Sequence, residues 1–258
     1  MKIERASERD FAELKTLWSV VFDEEPQFLE HFFSKRFHPE HIVLARKGGM
    51  IVSALHALPS TYRQKGEEKH CSFIVGAATY ASHRKQGIMG ELLAYTKATT
   101  EGPVTLFPAV RPFYEAHGYL TTSSMEEYAL SPDKQESKIP SSTPTPSQLD
   151  KIYREATGED GALMRDREGW LSLISGYDLI ALPDAYAFIN EGIAVEAMAT
   201  SRESAKSLLS LLQQREIGRI RVLPNSPFST LLAGPAEMVP MGMSTDPSMA
   251  GVYIAEQY

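Results

Sequence analysis

The chain has 258 residues, of which 43% are hydrophobic, so it is long enough for one large domain or two modest ones. Its formal net charge of −7 argues against a general nucleic-acid-binding protein. No apolar run approaches the ~20 residues that a transmembrane helix needs, and residues 1–5 lack the apolar core of a signal peptide. The single cysteine, Cys71, excludes a disulfide within the chain. These features predict a cytoplasmic protein without membrane or nucleic-acid partners.

In the first half of the chain, the spacing of apolar residues predicts two helices between strands. Residues 2–6 form a short predicted strand, and Ser7 is a candidate cap for the amphipathic helix that follows. Pro26 lies near the start of a second helix. Three antiparallel strands come next, the first two joined by a turn at Gly48-Gly49. The remaining predicted elements are a helix over "GELLAYTKATTE", a strand over "PVTLFPA", a short helix over "RPFYEAHGY" and a strand over "TSSMEEYAL".

Composition divides the chain into three predicted parts: a domain at 1–130, a Ser/Pro/Thr-rich linker at 131–147 and a second domain at 148–258. The second domain is predicted to contain two helices, a hairpin, a capped helix, a strand over "RIRVLP", a short helix over "SPFSTLLAG" and a strand over "EMVPMGM". Because this order resembles that of the first half, it predicts a structural repeat without a sequence repeat.

The stretch "RKQGIMG", from Arg84 to Gly90, combines basic residues and two glycines with the start of a predicted helix. A helix N-terminus has backbone N–H groups without partners and carries a partial positive charge. Glycines let the chain turn tightly and let an anion approach the backbone. The stretch therefore predicts an anion site that needs no metal ion. It has neither the Gly-Lys-Ser/Thr ending of a Walker loop nor the three glycines of a dinucleotide fingerprint.

The stretch from Arg84 to Gly90 follows a predicted antiparallel strand. In sequence and in position it resembles the pyrophosphate loop of the GNAT superfamily of acyl-CoA N-acyltransferases, Gln/Arg-x-x-Gly-x-Gly/Ala. The chain matches that loop at five successive residues: Arg84, Lys85, Gln86, Gly87 and Ile88. Met89 stands where glycine or alanine is usual, and Gly90 follows one place later. A second stretch, "FYEAHGY" at 113–119, resembles the superfamily's Phe-Tyr-x-x-x-Gly-Phe/Tyr segment. The resemblance implies a mixed α/β fold, mainly an antiparallel sheet flanked by helices, with a second GNAT-like unit.

The resemblance also implies roles for individual residues. The pyrophosphate of acetyl-CoA would lie against the loop residues Arg84, Lys85, Gln86, Gly87, Ile88, Met89 and Gly90. The pantetheine amides would pair with the end of the preceding strand, at Ala77, Ala78 and Thr79. Tyr114 would protonate the leaving thiolate, which gains from a nearby O–H donor. Alternatively, Tyr114 packs the short helix against the sheet.

An ammonium acceptor must lose a proton before its nitrogen attacks a thioester, so a general base is also expected. His56 is the titratable group placed nearest the cleft by its position on the third strand, and a structural role is the alternative. Other candidates are His70, Ser72, Asp23, Glu24 and Glu25. Deprotonation by bulk water needs no side chain at all.

The second half has no Arg-x-x-Gly where its hairpin meets its helix, in "MATSRESAKSLL", so it is predicted to be a degenerate GNAT-like unit. This tandem resembles the enhanced-intracellular-survival (Eis) type of acetyltransferases. Members of that branch usually add a sterol-carrier-like domain, whereas this sequence stops at Tyr258, after the second unit. Neither the terminal carboxylate of that domain nor the usual hexamer is therefore carried over.

Together, these patterns predict a bacterial acetyl-CoA-dependent N-acetyltransferase. It would move an acetyl group to a primary amine by direct attack in a ternary complex, with a small molecule as acceptor. A monomer or homodimer is expected. The alternative is a non-catalytic acyl-CoA-binding or sensor protein on the same fold, and a third hypothesis is a structural protein without an acyl-CoA site.

Overall fold

The structure is a computed structural model that describes residues 1–132 and 143–255. Most of the predicted linker, residues 133–142, therefore lies outside the described residues. The chain divides into two compact units. Along the described part of the chain, every helix is too short or too polar to cross a membrane.

The first unit comprises Met1–Tyr62, Glu68–Leu120 and Met243–Ser248. In chain order, the helices and strands up to residue 121 are β1 Lys2–Arg5, α1 Phe11–Phe22, α2 Pro26–Arg36, β2 Ile42–Lys47, β3 Met50–Gln64, β4 Glu67–Thr79, α3 Ile88–Thr99, β5 Val104–Leu106, α4 Arg111–Glu115 and β6 Leu120–Thr121.

The second unit comprises Arg63–Glu67, Thr121–Gly242 and the segment from Met249. The remaining elements of the chain are β7 Ser124–Ala129, α5 Pro146–Ala156, β8 Ala162–Leu163, α6 Arg167–Gly176, β9 Asp178–Leu182, β10 Ala185–Asn190, β11 Ile193–Ala199, α7 Arg202–Gln214, β12 Arg219–Val222, β13 Glu237–Pro240 and β14 Met243–Ser244.

Each unit is built on one sheet, and the two sheets share a topology. The first runs β1-β2-β3-β4-β5-β14-β6, with β1–β2 and β2–β3 antiparallel and β4–β5 parallel. The second runs β13-β7-β12-β11-β10-β9, with β9–β10 and β10–β11 antiparallel and β11–β12 parallel. Helices α3 and α7 occupy the same place in the two units, between the strands of the parallel pair. Parallel neighbours require such a crossover, and here a helix supplies it.

Each sheet contains a strand from the other half of the chain. Strand β7 follows α4 and β6, yet it pairs with β12, and β14 near the C-terminal end pairs with β5. Ion pairs hold β7 in the second sheet, because Glu127 bonds to Arg219 at 2.9 Å and to Arg221 at 2.7 Å. Strand β14 is held in the first sheet by the fully buried Met243. The units are thus not the contiguous stretches 1–130 and 148–258 that composition predicts.

Two predicted elements in the second half differ from the structure. "EMVPMGM" is not one strand, since β13 lies in the second sheet and β14 in the first. The stretch "SPFSTLLAG" forms turns and no helix: Ser229 N–H bonds to the Ser226 carbonyl at 3.0 Å and Leu231 N–H to the Phe228 carbonyl at 2.8 Å. Phe228 is fully buried, so it fixes this segment on the core without a continuous helix.

The core of the first unit explains where its functional surface can form. Strand β3 is buried on both faces from Ile51 to Leu58, as expected for a central strand covered by helices. Helix α3 packs Leu92 and Leu93 onto the sheet beside Tyr114 and Tyr119. The sheet is therefore accessible mainly where its strands separate.

Candidate functional site

Strands β4 and β5 separate at one end. Their parallel pairing runs from Ser72 opposite Val104 to Ile74 opposite Leu106, where β5 ends. Strand β4 continues to Thr79, and beyond the pairing all of its residues except Ala78 are half-buried. The backbone of β4 between 75 and 79 therefore borders an opening that β5 does not fill.

The predicted anion loop lies at the far end of this opening. Gly87 has φ 78° and ψ −2° immediately before α3, and it provides no side chain to cap the helix. The N–H groups from Ile88 to Gly90 precede the first helical bond, which Glu91 donates to the Gly87 carbonyl at 3.1 Å. They remain available to an anion, and the partial positive charge of the helix end favours one.

Two side chains fix the shape of the loop. The Arg84 Nε donates to the carbonyl of Thr79 at 3.0 Å, which ties the loop to the end of β4. The Gln86 Nε2 donates to the carbonyl of Ser82 at 3.0 Å. Arg84, Lys85 and Gln86 are all exposed. The loop therefore presents positive charge next to the uncapped helix end.

The unusual residues of the loop serve packing. Met89 is half-buried and packs against the core of the first unit. A Cβ at Gly90 would lie 2.3 Å from Nε2 of His117, whose Nδ1 is 2.7 Å from the carbonyl of Phe113. The absence of a side chain at Gly90 thus lets His117, in the segment after α4, approach the start of α3. Met89 packs against the core and also lines the cavity.

A cavity of about 610 Å³ joins the opening to the loop. Nine of the predicted site residues line it: Ala77, Thr79, Arg84, Lys85, Gly87, Ile88, Met89, Gly90 and Tyr114. The structure adds six lining residues that the sequence analysis did not assign: Val21, Phe22, His83, Ala109, Val110 and Phe113. The lining combines basic groups and helix N–H groups of the loop with mainly apolar side chains from other segments.

Two predicted cofactor-binding residues do not line this cavity. Ala78 is fully buried, and its carbonyl accepts a hydrogen bond from the Ser53 hydroxyl at 2.9 Å, so this carbonyl is already bonded to β3. Gln86 turns its amide back onto Ser82. A direct side-chain role for these two residues stays a prediction.

Tyr114 belongs to the mainly apolar part of the cavity lining. Helix α4 places it there, with Pro112 in the first turn of the helix. The side chain is 8% exposed and packs edge-on against Phe113 and Tyr119, with ring centroids 5.2 and 5.8 Å away. Burial raises the pKa of the phenol. Tyr114 therefore keeps its proton at neutral pH and can donate it.

His56 does not occupy a place suited to a general base. It is 0% exposed, and it is absent from the cavity wall. Its ring lies among Trp18, Phe32 and Phe33, with centroids 5.1, 5.8 and 5.7 Å away, and both ring nitrogens lack a hydrogen-bond partner among the described residues. Burial lowers the pKa of His56 to about 3. The expectation of a base at the cleft is corrected to a neutral histidine inside an aromatic cluster.

This burial makes the fold acid-sensitive. The unfolded chain binds a proton at His56 below about pH 6.5, whereas the folded chain resists protonation down to about pH 3. Stability conferred by the neutral ring is complete above pH 6.5 and declines as the pH falls toward 3, by about 1.4 kcal/mol per pH unit. Urea unfolding at pH 7 and pH 5 should therefore show a loss of about 2 kcal/mol that is absent in His56→Leu. The exposed His31→Leu is the control, and an unchanged pH dependence in His56→Leu would refute this account.

The second unit differs at the corresponding helix end. The side chain of Ser201 accepts a bond from the N–H of Ser204 at 3.1 Å, and the N–H of Ser201 bonds to the Ser204 hydroxyl at 3.1 Å. This capping box uses a helix N–H group that an anion would need. The N-terminus of α7 is thus closed by its own side chains, whereas that of α3 has no side-chain cap.

Comparison with known proteins gives one family match. Residues 2–122, a little under half of the chain, match the model described as an acetyltransferase (GNAT) domain. This segment contains the loop, the separated strands and α4. A comparison with curated proteins found no significant match.

Solved structures resemble almost the whole chain. A conserved protein from Enterococcus faecalis, a probable N-acyltransferase, has a TM-score of 0.71 and 18% identity over 94% of this chain and 72% of its own. A GCN5-related N-acetyltransferase from Anabaena variabilis has a TM-score of 0.71 and 15% identity over 96% and 74%. Eis1 from Mycobacterium abscessus has a TM-score of 0.67 and 14% identity over 95% and 73%. The chain therefore has a mixed α/β GNAT fold with two sheets in a two-unit arrangement.

Proposed function

We propose that this protein is an acetyl-CoA-dependent N-acetyltransferase that acts on a primary amine. The observation that carries the proposal is the cavity of about 610 Å³, which connects an uncapped helix N-terminus to a buried tyrosine along the free edge of β4. The GNAT match over residues 2–122 supports acyl transfer as the reaction class.

The residues present fit coenzyme A by charge and shape. The N–H groups at the start of α3, together with Arg84 and Lys85, suit a pyrophosphate. The free edge of β4 at Ala77 and Thr79 offers backbone groups to the amides of the pantetheine arm, as an added strand would. The arm then runs from the loop toward the mainly apolar part of the lining, so the thioester comes close to Tyr114.

The proposed reaction is a direct transfer. The neutral amine attacks the thioester carbonyl, a carbon–nitrogen bond forms, and the carbon–sulfur bond breaks. Tyr114 donates its phenolic proton to the departing sulfur and regains a proton from solvent. The amine loses its proton to water, or to an exposed carboxylate of Asp23, Glu24 or Glu25, which directly follow the cavity residue Phe22.

The second unit is proposed to have no acetyl-CoA site of its own, because Ser201 and Ser204 form a capping box at the N-terminus of α7. A tandem of one binding and one non-binding unit supports a relationship to the Eis type of acetyltransferase. We further propose a bacterial, cytoplasmic monomer or homodimer with a small-molecule acceptor and no nucleic-acid or membrane partner.

Release of free thiol from acetyl-CoA tests this function. The protein is mixed with acetyl-CoA and a panel of polyamines, aminoglycosides, amino acids and peptide amines. We expect thiol release that depends on both the protein and one class of amine. Tight binding of acetyl-CoA without release across the panel would instead favour a non-catalytic acyl-CoA sensor.

A pair of glycines tests the loop. Gly87 and Gly66 have the same φ, 78°, and a Cβ at either meets no atom within 4 Å, but only Gly87 lines the cavity. Gly87→Phe should therefore lose the thermal stabilisation that coenzyme A gives, about 2.7 kcal/mol at 100 times its dissociation constant, whereas Gly66→Phe should keep it. Both variants should show similar stability without ligand. Full stabilisation of Gly87→Phe by coenzyme A would exclude the loop from the site.

A further inference from the structure

Trp18 lies directly against the backbone of β4 where the strand becomes free. Gly76 has φ 59°, and a Cβ at this position would lie 1.8 Å from Cζ2 and 2.3 Å from Cε2 of the indole. The six-membered ring of Trp18 thus occupies the volume that any other side chain at position 76 would take. Trp18 is 5% exposed, so it is part of the interior and not a surface residue.

The indole also touches the cavity wall. Phe22 lines the cavity, and its ring lies edge-on to that of Trp18 with centroids 5.3 Å apart. Gly76 immediately precedes Ala77, another lining residue. Trp18 therefore backs the mainly apolar part of the cavity lining at two points, behind Phe22 and behind the start of the free edge.

The wall behind Trp18 has little freedom to move. The indole stacks on Phe32 at 4.4 Å between ring centroids and lies edge-on to Phe33 and His56 at 5.5 and 5.1 Å. These three neighbours are themselves buried. Because close-packed interiors resist added volume, a group pressing on Trp18 would meet an unyielding surface.

On the proposed function, the pantetheine arm runs along β4 from Thr79 past Ala77, so the acyl group points toward Gly76. We propose that Trp18 is a specificity-determining residue that restricts the transferred acyl group to short chains. Trp18 does not line the cavity itself, and it acts through Phe22 and Gly76, which it backs. A chain of six carbons would have to push these groups against the packed indole. This inference rests on the proposed function and adds the residue that restricts the length of the acyl donor.

Calorimetric titration with a series of acyl-CoA donors tests the inference. The wild-type protein is titrated with coenzyme A, acetyl-CoA, butyryl-CoA and hexanoyl-CoA, and so is Trp18→Phe, which keeps a ring on Phe32 but removes the atoms nearest Gly76. We expect wild type to bind hexanoyl-CoA at least ~10-fold more weakly than acetyl-CoA, as for a pocket that rejects extra methylenes. Trp18→Phe should reduce this ratio at least ~5-fold and leave the acetyl-CoA affinity within ~3-fold.

Phe28→Ala is the matched control, because Phe28 stacks on Phe32 at 6.2 Å yet does not line the cavity. Phe28→Ala should leave the ratio of hexanoyl-CoA affinity to acetyl-CoA affinity unchanged. Equal binding of hexanoyl-CoA and acetyl-CoA by wild type overturns the inference even if Trp18→Phe does not fold, and so does an unchanged ratio in a folded Trp18→Phe. Binding of coenzyme A with no chain-length preference leaves the proposed function standing, whereas failure to bind coenzyme A overturns both.

Discussion

Tyr114→Phe is expected to lower the rate of acetyl transfer at least ~100-fold, in the range that loss of a general acid produces. The phenol is buried in the cavity lining, and burial raises its pKa, so at neutral pH it holds the proton that a departing thiolate needs. Phenylalanine preserves the ring contacts with Phe113 and Tyr119 and removes only the hydroxyl. The affinity for coenzyme A should therefore change little, and the loss should appear in kcat and not in the dissociation constant.

Tyr119→Phe is the matched control for this experiment. Tyr119 packs edge-on to Tyr114 with centroids 5.8 Å apart, is also buried, and does not line the cavity. Its hydroxyl has no partner among the described residues, so its removal should leave kcat within ~2-fold and cost no stability. Similar kcat values for the two variants would remove Tyr114 from the mechanism and leave it a packing residue.

Gly76→Ala is expected to destabilise the protein by about 2–5 kcal/mol. A left-handed backbone at φ 59° costs a residue with a Cβ about 1–2 kcal/mol. The new methyl would also collide with the ring of Trp18, which overpacks the core at a further cost of about 1–3 kcal/mol. Urea unfolding should show a lower midpoint with an unchanged slope.

Gly49→Ala separates these two contributions. Gly49 also has a positive φ, 85°, but a Cβ there meets no atom within 4 Å. Its replacement should cost only the backbone part, about 1–2 kcal/mol. Equal losses in the free energy of unfolding for the two variants would mean that the Trp18 ring moves aside easily. Trp18 would then not form a rigid wall behind the cavity.

The sequence was most informative where the site is built from neighbouring residues. The loop from Arg84 to Gly90 carries its own turn, its own charge and the start of α3, so the pattern alone predicts an anion site. Tyr114 is set within a short helix that begins with Arg111-Pro112. In both cases the local backbone positions the group, and distant contacts only support it.

The sequence was least informative where long-range packing decides the outcome. The segment around His56, "IVSALHAL", is nearly continuously apolar and buried on both faces, so its pattern does not tell which side faces the cleft. The partners that bury the ring, Trp18, Phe32 and Phe33, come from helices more than 20 residues away in the sequence. The pairing of β7 and β14 with strands from the other half of the chain likewise depends on long-range contacts that no local pattern encodes.

The second glycine of the loop illustrates an intermediate case. In the sequence, Gly90 is one place later than the superfamily pattern predicts, with Met89 in the usual position of a small residue. In the structure, Gly90 makes room for His117, and Met89 packs against the core. The departure from the pattern is thus explained by packing between α3 and the segment after α4.

Calorimetric titration of the wild-type protein with coenzyme A tests the central claim most directly. We expect one binding site per chain, because within the described residues the uncapped end of α3 lies beside separated strands, whereas the corresponding end of α7 is capped by Ser201. The affinity should fall as ionic strength rises, since charged groups hold the pyrophosphate. No binding at millimolar coenzyme A, or two equivalent sites per chain, would contradict the account.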